Sequence, residues 1–135
     1  MNSDNETDIQ RYIEHTRQYL ENGLIALQKG EAGKAGELLW GSVAEAAHAL
    51  AATKNVPLPS HRQLHNFVLN VAEELHDKAL AEDFIIAESL HHNYYEVKLD
   101  SKDVEIVLPR IRTLVIKLLE FIPPQAVLEV PPNQP

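Results

Sequence analysis

No cysteine occurs in the chain, which excludes disulfides and thiolate metal sites. Glycine is scarce and confined to residues 23–41. There is no glycine-rich phosphate loop and no Gly-x-Ser-x-Gly nucleophile elbow. No apolar run approaches the roughly 18 residues of a membrane span, so no membrane association is expected. The first ten residues, MNSDNETDIQ, are polar and acidic, which is wrong for a signal peptide. Basic stretches are missing too. The net charge is −8, and the only loose basic cluster, Arg110, Arg112 and Lys117, reads as a solvated helix face. Non-specific nucleic-acid binding, which needs a basic patch, is therefore disfavoured. A soluble cytoplasmic protein is the expectation.

What is present is apolar, periodic and mostly helical. The chain has 135 residues, 44% of them apolar, enough for one domain with its own core. Stripes at helical spacing run through Ile9, Tyr12, Ile13, Leu20, Leu24 and Leu27, and through Leu38, Leu39, Val43, Ala46 and Leu50. The turn Lys29-Gly30-Glu31 separates the two. Pro57 and Pro59 make a rigid connector, and Ser60 is a good N-cap for a helix carrying Leu64, Phe67, Val68, Val71 and Leu75. A fourth helix is expected from about Glu82 to Glu96. A fifth starts near Asp100 or Ser101 and carries Val104, Val107, Ile111, Leu114, Leu118 and Ile122. Pro109 predicts a kink or a late start there. The last thirteen residues, PPQAVLEVPPNQP, hold five of the eight prolines and cannot continue a helix. The fold class is all-α: an antiparallel bundle of about five helices over 9–122, with a polar N-terminal tail at 1–8 and an extended Pro-rich tail at 123–135.

The densest group of titratable side chains is AESLHHNYYE, residues 87–96. It holds one of three Glu-x-x-His spacings, the others being Glu45/His48 and Glu73/His76. Such pairs build di-iron sites when two of them face inward from different helices. At about 100° per residue, Glu45 and His48 fall opposite the apolar stripe of their helix, and Glu73 and His76 fall well off theirs. Only His91 falls among the core positions Phe84, Ala87, Leu90 and Tyr94, with Glu88 and Tyr95 at the margin. One inward motif does not hold two metals, so no metal ligands and no cofactor are assigned, although a metal-binding bundle remains an alternative. His91 is expected to be buried with a hydrogen-bond partner such as Glu88, a hydroxyl or a carbonyl, and His92 exposed. His61 and His65 are four apart on one face, with no third ligand following in sequence. The candidate ligand-binding residues are His61, His65, His91, Asn93, Tyr94 and Tyr95. The candidate catalytic residues are Glu88, His91 and Tyr95. The second helix shows a flat face of Gly41, Ala44, His48 and Ala52, which predicts close helix packing across the two-fold axis of a homodimer.

Three blocks of this chain, KAGELLWGSVAEAAHALAA (34–52), SHRQLHNFVLNVAEEL (60–75) and AESLHHNYYE (87–96), together resemble the PaREP family of small helical proteins. The family's Leu-His-x-Asn-aromatic-Tyr-Glu signature matches Leu90, His91, Asn93, Tyr94, Tyr95 and Glu96, and its Ser-His helix start matches Ser60 and His61. That family is similar in turn to the HEPN superfamily of helical bundles. The resemblance implies a HEPN-like, often dimeric bundle that binds a nucleotide or a partner protein such as a nucleotidyltransferase. HEPN ribonucleases carry an arginine, then four to six arbitrary residues, then a histidine. None of Arg11, Arg17, Arg62, Arg110 and Arg112 has a histidine at that spacing. The resemblance thus favours a non-catalytic interaction module. A nuclease or nucleotide-acting enzyme using His91, Glu88 and Tyr95 is the alternative.

Overall fold

The computed structural model describes residues 3–95 and 99–123, with side chains described for 7–91 and 99–123. Five helices follow one another: α1 (Ser3–Gln28), α2 (Ala32–Thr53), α3 (His61–Glu74), α4 (Lys78–Tyr95) and α5 (Ser101–Glu120). Among the described residues there is no strand, and no helix is long and apolar enough to cross a membrane.

The first three helices end in the same way. Gly30, Asn55 and His76 take left-handed φ values of 77°, 57° and 54°. In each case the next residue's N–H returns to a carbonyl in the last helical turn: Glu31 to Ala26, Val56 to Ala51 and Asp77 to Ala72. This closing bond satisfies carbonyls that the helix leaves open. Only the first site has the residue best suited to it, since a side chain is strained there and Asn and His tolerate the conformation better than most. At α3 the turn is immediately reused. Asp77 accepts from the Leu80 N–H and so caps α4, which begins at Lys78, earlier than the expected Glu82.

The α1 helix begins at Ser3, inside the stretch read as a polar tail. With only Lys29, Gly30 and Glu31 between them, α1 and α2 must run antiparallel. Tyr12 stacks on His48, His15 bonds Glu45, and Gly41 lies against the Tyr19 ring. This corrects the reading of α2. Glu45 and His48 do not point to solvent, and the flat Gly41/Ala44/His48/Ala52 face is covered by α1 of the same chain. The cause is that α2 is the central helix, touched by all four others. Ala35, Leu39, Trp40, Ser42, Val43, Ala46, Ala49, Leu50 and Ala51 are all buried, so its burial does not follow one stripe. His76 and Glu73 are exposed as expected.

The α5 helix opens with a reciprocal cap between Asp100 and Asp103 and runs through Pro109 to Glu120, so there is no late start. Val104, Ile111, Leu114 and Leu118 bury its inner face. Two ion pairs tie it to α4 and its capping residue: Arg110–Asp83 at 3.5 Å and Lys117–Asp77 at 3.0 Å. The two aspartates respond oppositely. The Lys117 hydrogen bond, then the Leu80 N–H, hold the Asp77 carboxyl below its ordinary 3.8. Burial pushes Asp83 up, against the pull of Arg110. A carboxyl lowered on folding adds stability above its unfolded pKa, and that stability is lost as pH falls through the folded value. Asp83 has the opposite sign and favours the folded state as pH falls through its raised value. Asp77→Asn is therefore expected to be less stable than wild type at pH 7, with the gap closing as pH falls below the ordinary Asp range. Urea midpoints of both proteins measured from pH 7 downward check this. A gap that stays constant or widens would contradict it.

Candidate functional site

The site forms where α2, α3 and α4 meet. Ser60 caps α3 by accepting the Gln63 N–H, which places His61 and Arg62 in the first turn and His65 one turn on. The α4 helix brings Phe84 and Glu88, again one turn apart, followed by His91. The α2 helix brings Glu37 and Trp40. Trp40 and Phe84 are buried and pack together at 5.8 Å between ring centroids, forming an apolar floor.

The polar groups lie on that floor as two histidine–carboxylate units. Glu88 takes both α3 histidines. Its Oε2 lies 2.9 Å from His61 Nε2 and 2.8 Å from His65 Nδ1. In the second unit, His91 Nδ1 lies 3.0 Å from Glu37 Oε1. The units are joined through rings. His61 stacks on His91 at 6.2 Å with 18° between planes, and both rings lie near Trp40, at 5.3 and 6.0 Å. His65 rests against Phe84 at 5.9 Å. The carboxylates lie deeper than the imidazoles: the Glu88 side chain is 13% exposed and that of His61 45%. Glu37 Oε2 is buried with no hydrogen-bond partner among the described residues. An open pocket of about 320 Å³ is lined by His61, Arg62, His65 and Glu88.

Each carboxylate on a ring nitrogen fixes the ring's orientation and, in the neutral form, its tautomer. For His65 this points Nε2 away from Glu88. Imidazoles held this way are suited to accepting and donating protons or to bonding an anion. Arg62 adds a fixed positive charge at the rim, and among the described residues it makes no ion pair.

Of the residues expected from the sequence, Glu88, His61, His65 and His91 come together. His91 has a hydrogen-bond partner as expected, but it is Glu37 rather than Glu88, a hydroxyl or a carbonyl, because Glu88 turns to α3. His91 is half-buried, with 36% of its side chain exposed. The side chains of His92, Asn93, Tyr94 and Tyr95 lie outside the described residues. Glu37, Trp40 and Arg62 were missed. Glu37 and Trp40 are three apart on α2, one turn of the same face, and Trp40 is the chain's sole tryptophan, which was the available signal. The third group near His61 and His65 comes from a different helix, where spacing along α3 could not reveal it. Among the described residues no three His, Asp or Glu side chains converge in a geometry that holds a metal ion.

Residues 11–115 match the archaeal PaREP1/PaREP8 family. No curated protein and no solved structure matches the chain.

Proposed function

Because this chain belongs to the archaeal PaREP1/PaREP8 family and carries an ordered histidine cluster, we propose that it is a HEPN-like helical interaction module that binds a ligand at that cluster. The module is non-catalytic, homodimeric and cytoplasmic, and it works beside a partner such as a nucleotidyltransferase-like protein. One observation carries this reading: the pocket lined by His61, Arg62, His65 and Glu88. Its volume falls at the small end of ligand sites. A phosphate-bearing ligand such as a nucleotide matches the chemistry. Arg62 and the imidazoles meet the phosphate, and the exposed His61 ring offers a stacking face. Calorimetric titration with adenosine monophosphate tests it. Binding is expected, weakened about tenfold, or roughly 1.4 kcal/mol, by Arg62→Ala and again by His65→Ala. Absence of heat with millimolar nucleotide, or binding indifferent to both substitutions, sinks the reading.

A second reading is supported by the two carboxylate-backed imidazoles. Two oriented histidines and an arginine supply a general base, a general acid and a phosphate ligand, the set needed to cleave a phosphodiester without metal. In that reading His65 with Glu88 and His91 with Glu37 do the work, rather than His91 with Glu88. Cleavage of single-stranded RNA in excess chelator, abolished by His65→Ala and by His91→Ala, would favour it over binding alone.

A further inference from the structure

The outer face of α5 carries a stripe of six exposed residues: Lys102, Ile106, Pro109, Thr113, Ile116 and Glu120. Their steps alternate four and three, the spacing of a helix–helix seam. Ile106 is 69% exposed and Ile116 55% exposed, the most open isoleucines among the described residues. The opposite face of α5 is already filled by the core, so this stripe has nothing of the described chain against it.

The stripe is self-complementary. Its positions are symmetric about residue 111. Turned over by a two-fold axis there, Ile106 meets Ile116, Pro109 meets Thr113, and Lys102 meets Glu120. We infer that α5 packs antiparallel against α5 of a second copy of this chain, with the axis beside residue 111. This rests on the homodimer reading above and assigns its surface, replacing the α2 face that α1 covers.

Charge selects the antiparallel arrangement. A parallel pair sets Lys102 on Lys102 and Glu120 on Glu120, so both ends repel. The antiparallel pair sets opposite charges at both ends and also aligns the helix dipoles favourably. An isologous contact of this kind closes on itself and does not propagate into fibres. The flanking charges of α4's side are internally neutralised, since Arg110 faces Asp83 and Lys117 bonds Asp77. On the other flank the two copies of Arg112 approach near the axis and oppose association. Burial of four isoleucines offsets that repulsion, because each loses apolar exposed area.

Light scattering and cysteine cross-linking test this separately from the ligand site. Wild type at about 50 µM, well above a dissociation constant of about 1 µM, is expected near 30 kDa, twice the 15.2 kDa of one chain. Ile106→Glu and Ile116→Glu are each expected to give monomers with unchanged helical content, because both side chains are exposed. The chain has no cysteine, so introduced thiols report cleanly. Ile106→Cys mixed with Ile116→Cys should cross-link through a short bis-maleimide. Ile106→Cys alone should not, because two copies of residue 106 lie roughly 15 Å apart along the axis. A monomeric wild type overturns both the dimer and its face. A dimer that survives both glutamate substitutions, or cross-linking of Ile106→Cys to itself, overturns the face and leaves the dimer standing.

Discussion

Phe84→Ala is expected to lower folding stability by about 3–5 kcal/mol, the usual cost of emptying a buried aromatic site. Phe84 is fully buried and lies where the three site helices meet. Its ring packs on Trp40 of α2 and beneath His65 of α3, so the cavity would open between elements rather than within one. The site cannot easily collapse, because α2 is held by α1 and α5 on its other sides. The loss is a large share of the roughly 5–15 kcal/mol that an ordinary domain has. The same substitution should loosen His61, His65 and His91, whose rings rest directly or through Trp40 on that floor. Two measurements separate the effects. Urea unfolding gives the stability loss. Imidazole resonances then show whether the three rings lose their fixed environments under conditions where the variant is still folded. Phe84→Leu retains most of the volume and should cost about 1–1.5 kcal/mol. A Phe84→Ala loss below about 1 kcal/mol would mean that the floor repacks, and the account of a rigidly held site would fall with it.

The sequence was informative wherever a helix buries one stripe. The inner faces of α3 and α5 follow their periodicity: Leu64, Val68 and Val71 are buried, as are Val104, Ile111, Leu114 and Leu118, whereas Leu75, read into the α3 stripe, is exposed because the helix ends at Glu74. The Ser60 cap is also as expected, because capping depends on one side chain and its local backbone. Periodicity fails at α2 for a physical reason. A helix surrounded by four neighbours has no solvent side, and its small residues serve neighbours on several faces at once. Angles measured from one stripe therefore put Glu45 and His48 outside when α1 lies over them. The early start of α4 was hidden because His76 takes a conformation usually signalled by glycine. The site was half legible. His61 and His65 share a face by local geometry, and His91 belongs to the core side of α4. The pairing of those histidines with carboxylates is tertiary, and no spacing within one helix encodes it. Glu88 is three residues from His91 yet bonds a helix it meets only in the folded chain.

Gly23→Ala and Gly41→Ala are expected to differ in outcome, although both glycines lie in the α1–α2 hairpin and both are helical. Replacing a helical glycine by alanine gains up to about 1 kcal/mol from backbone propensity. Against that stands the space available to the new methyl. At Gly23 an added Cβ would sit 2.9 Å from Leu39 Cδ2, 3.1 Å from its Cγ and 3.4 Å from its backbone nitrogen. Leu39 is fully buried at the centre of α2, so its tip has no room to give and the helices must part. Overpacking of that kind costs about 1–3 kcal/mol, more than the propensity gain. At Gly41 the nearest atoms are those of the Tyr19 ring, 3.3 to 3.5 Å away. Tyr19 is 39% exposed, and its ring can swing outward, so the gain and the cost nearly cancel. Gly23→Ala should therefore destabilise by about 1–2 kcal/mol once the opposing effects are combined. Gly23→Leu should cost more, and Gly41→Ala should stay within about 0.5 kcal/mol of wild type. Denaturant midpoints with matched slopes decide the matter. The close approach of α1 to α2 at Leu39 is wrong if Gly23→Ala proves as stable as wild type. If Gly41→Ala is the more damaging of the two, the hairpin's tight point lies at Tyr19 and the register of α1 on α2 has to be shifted accordingly.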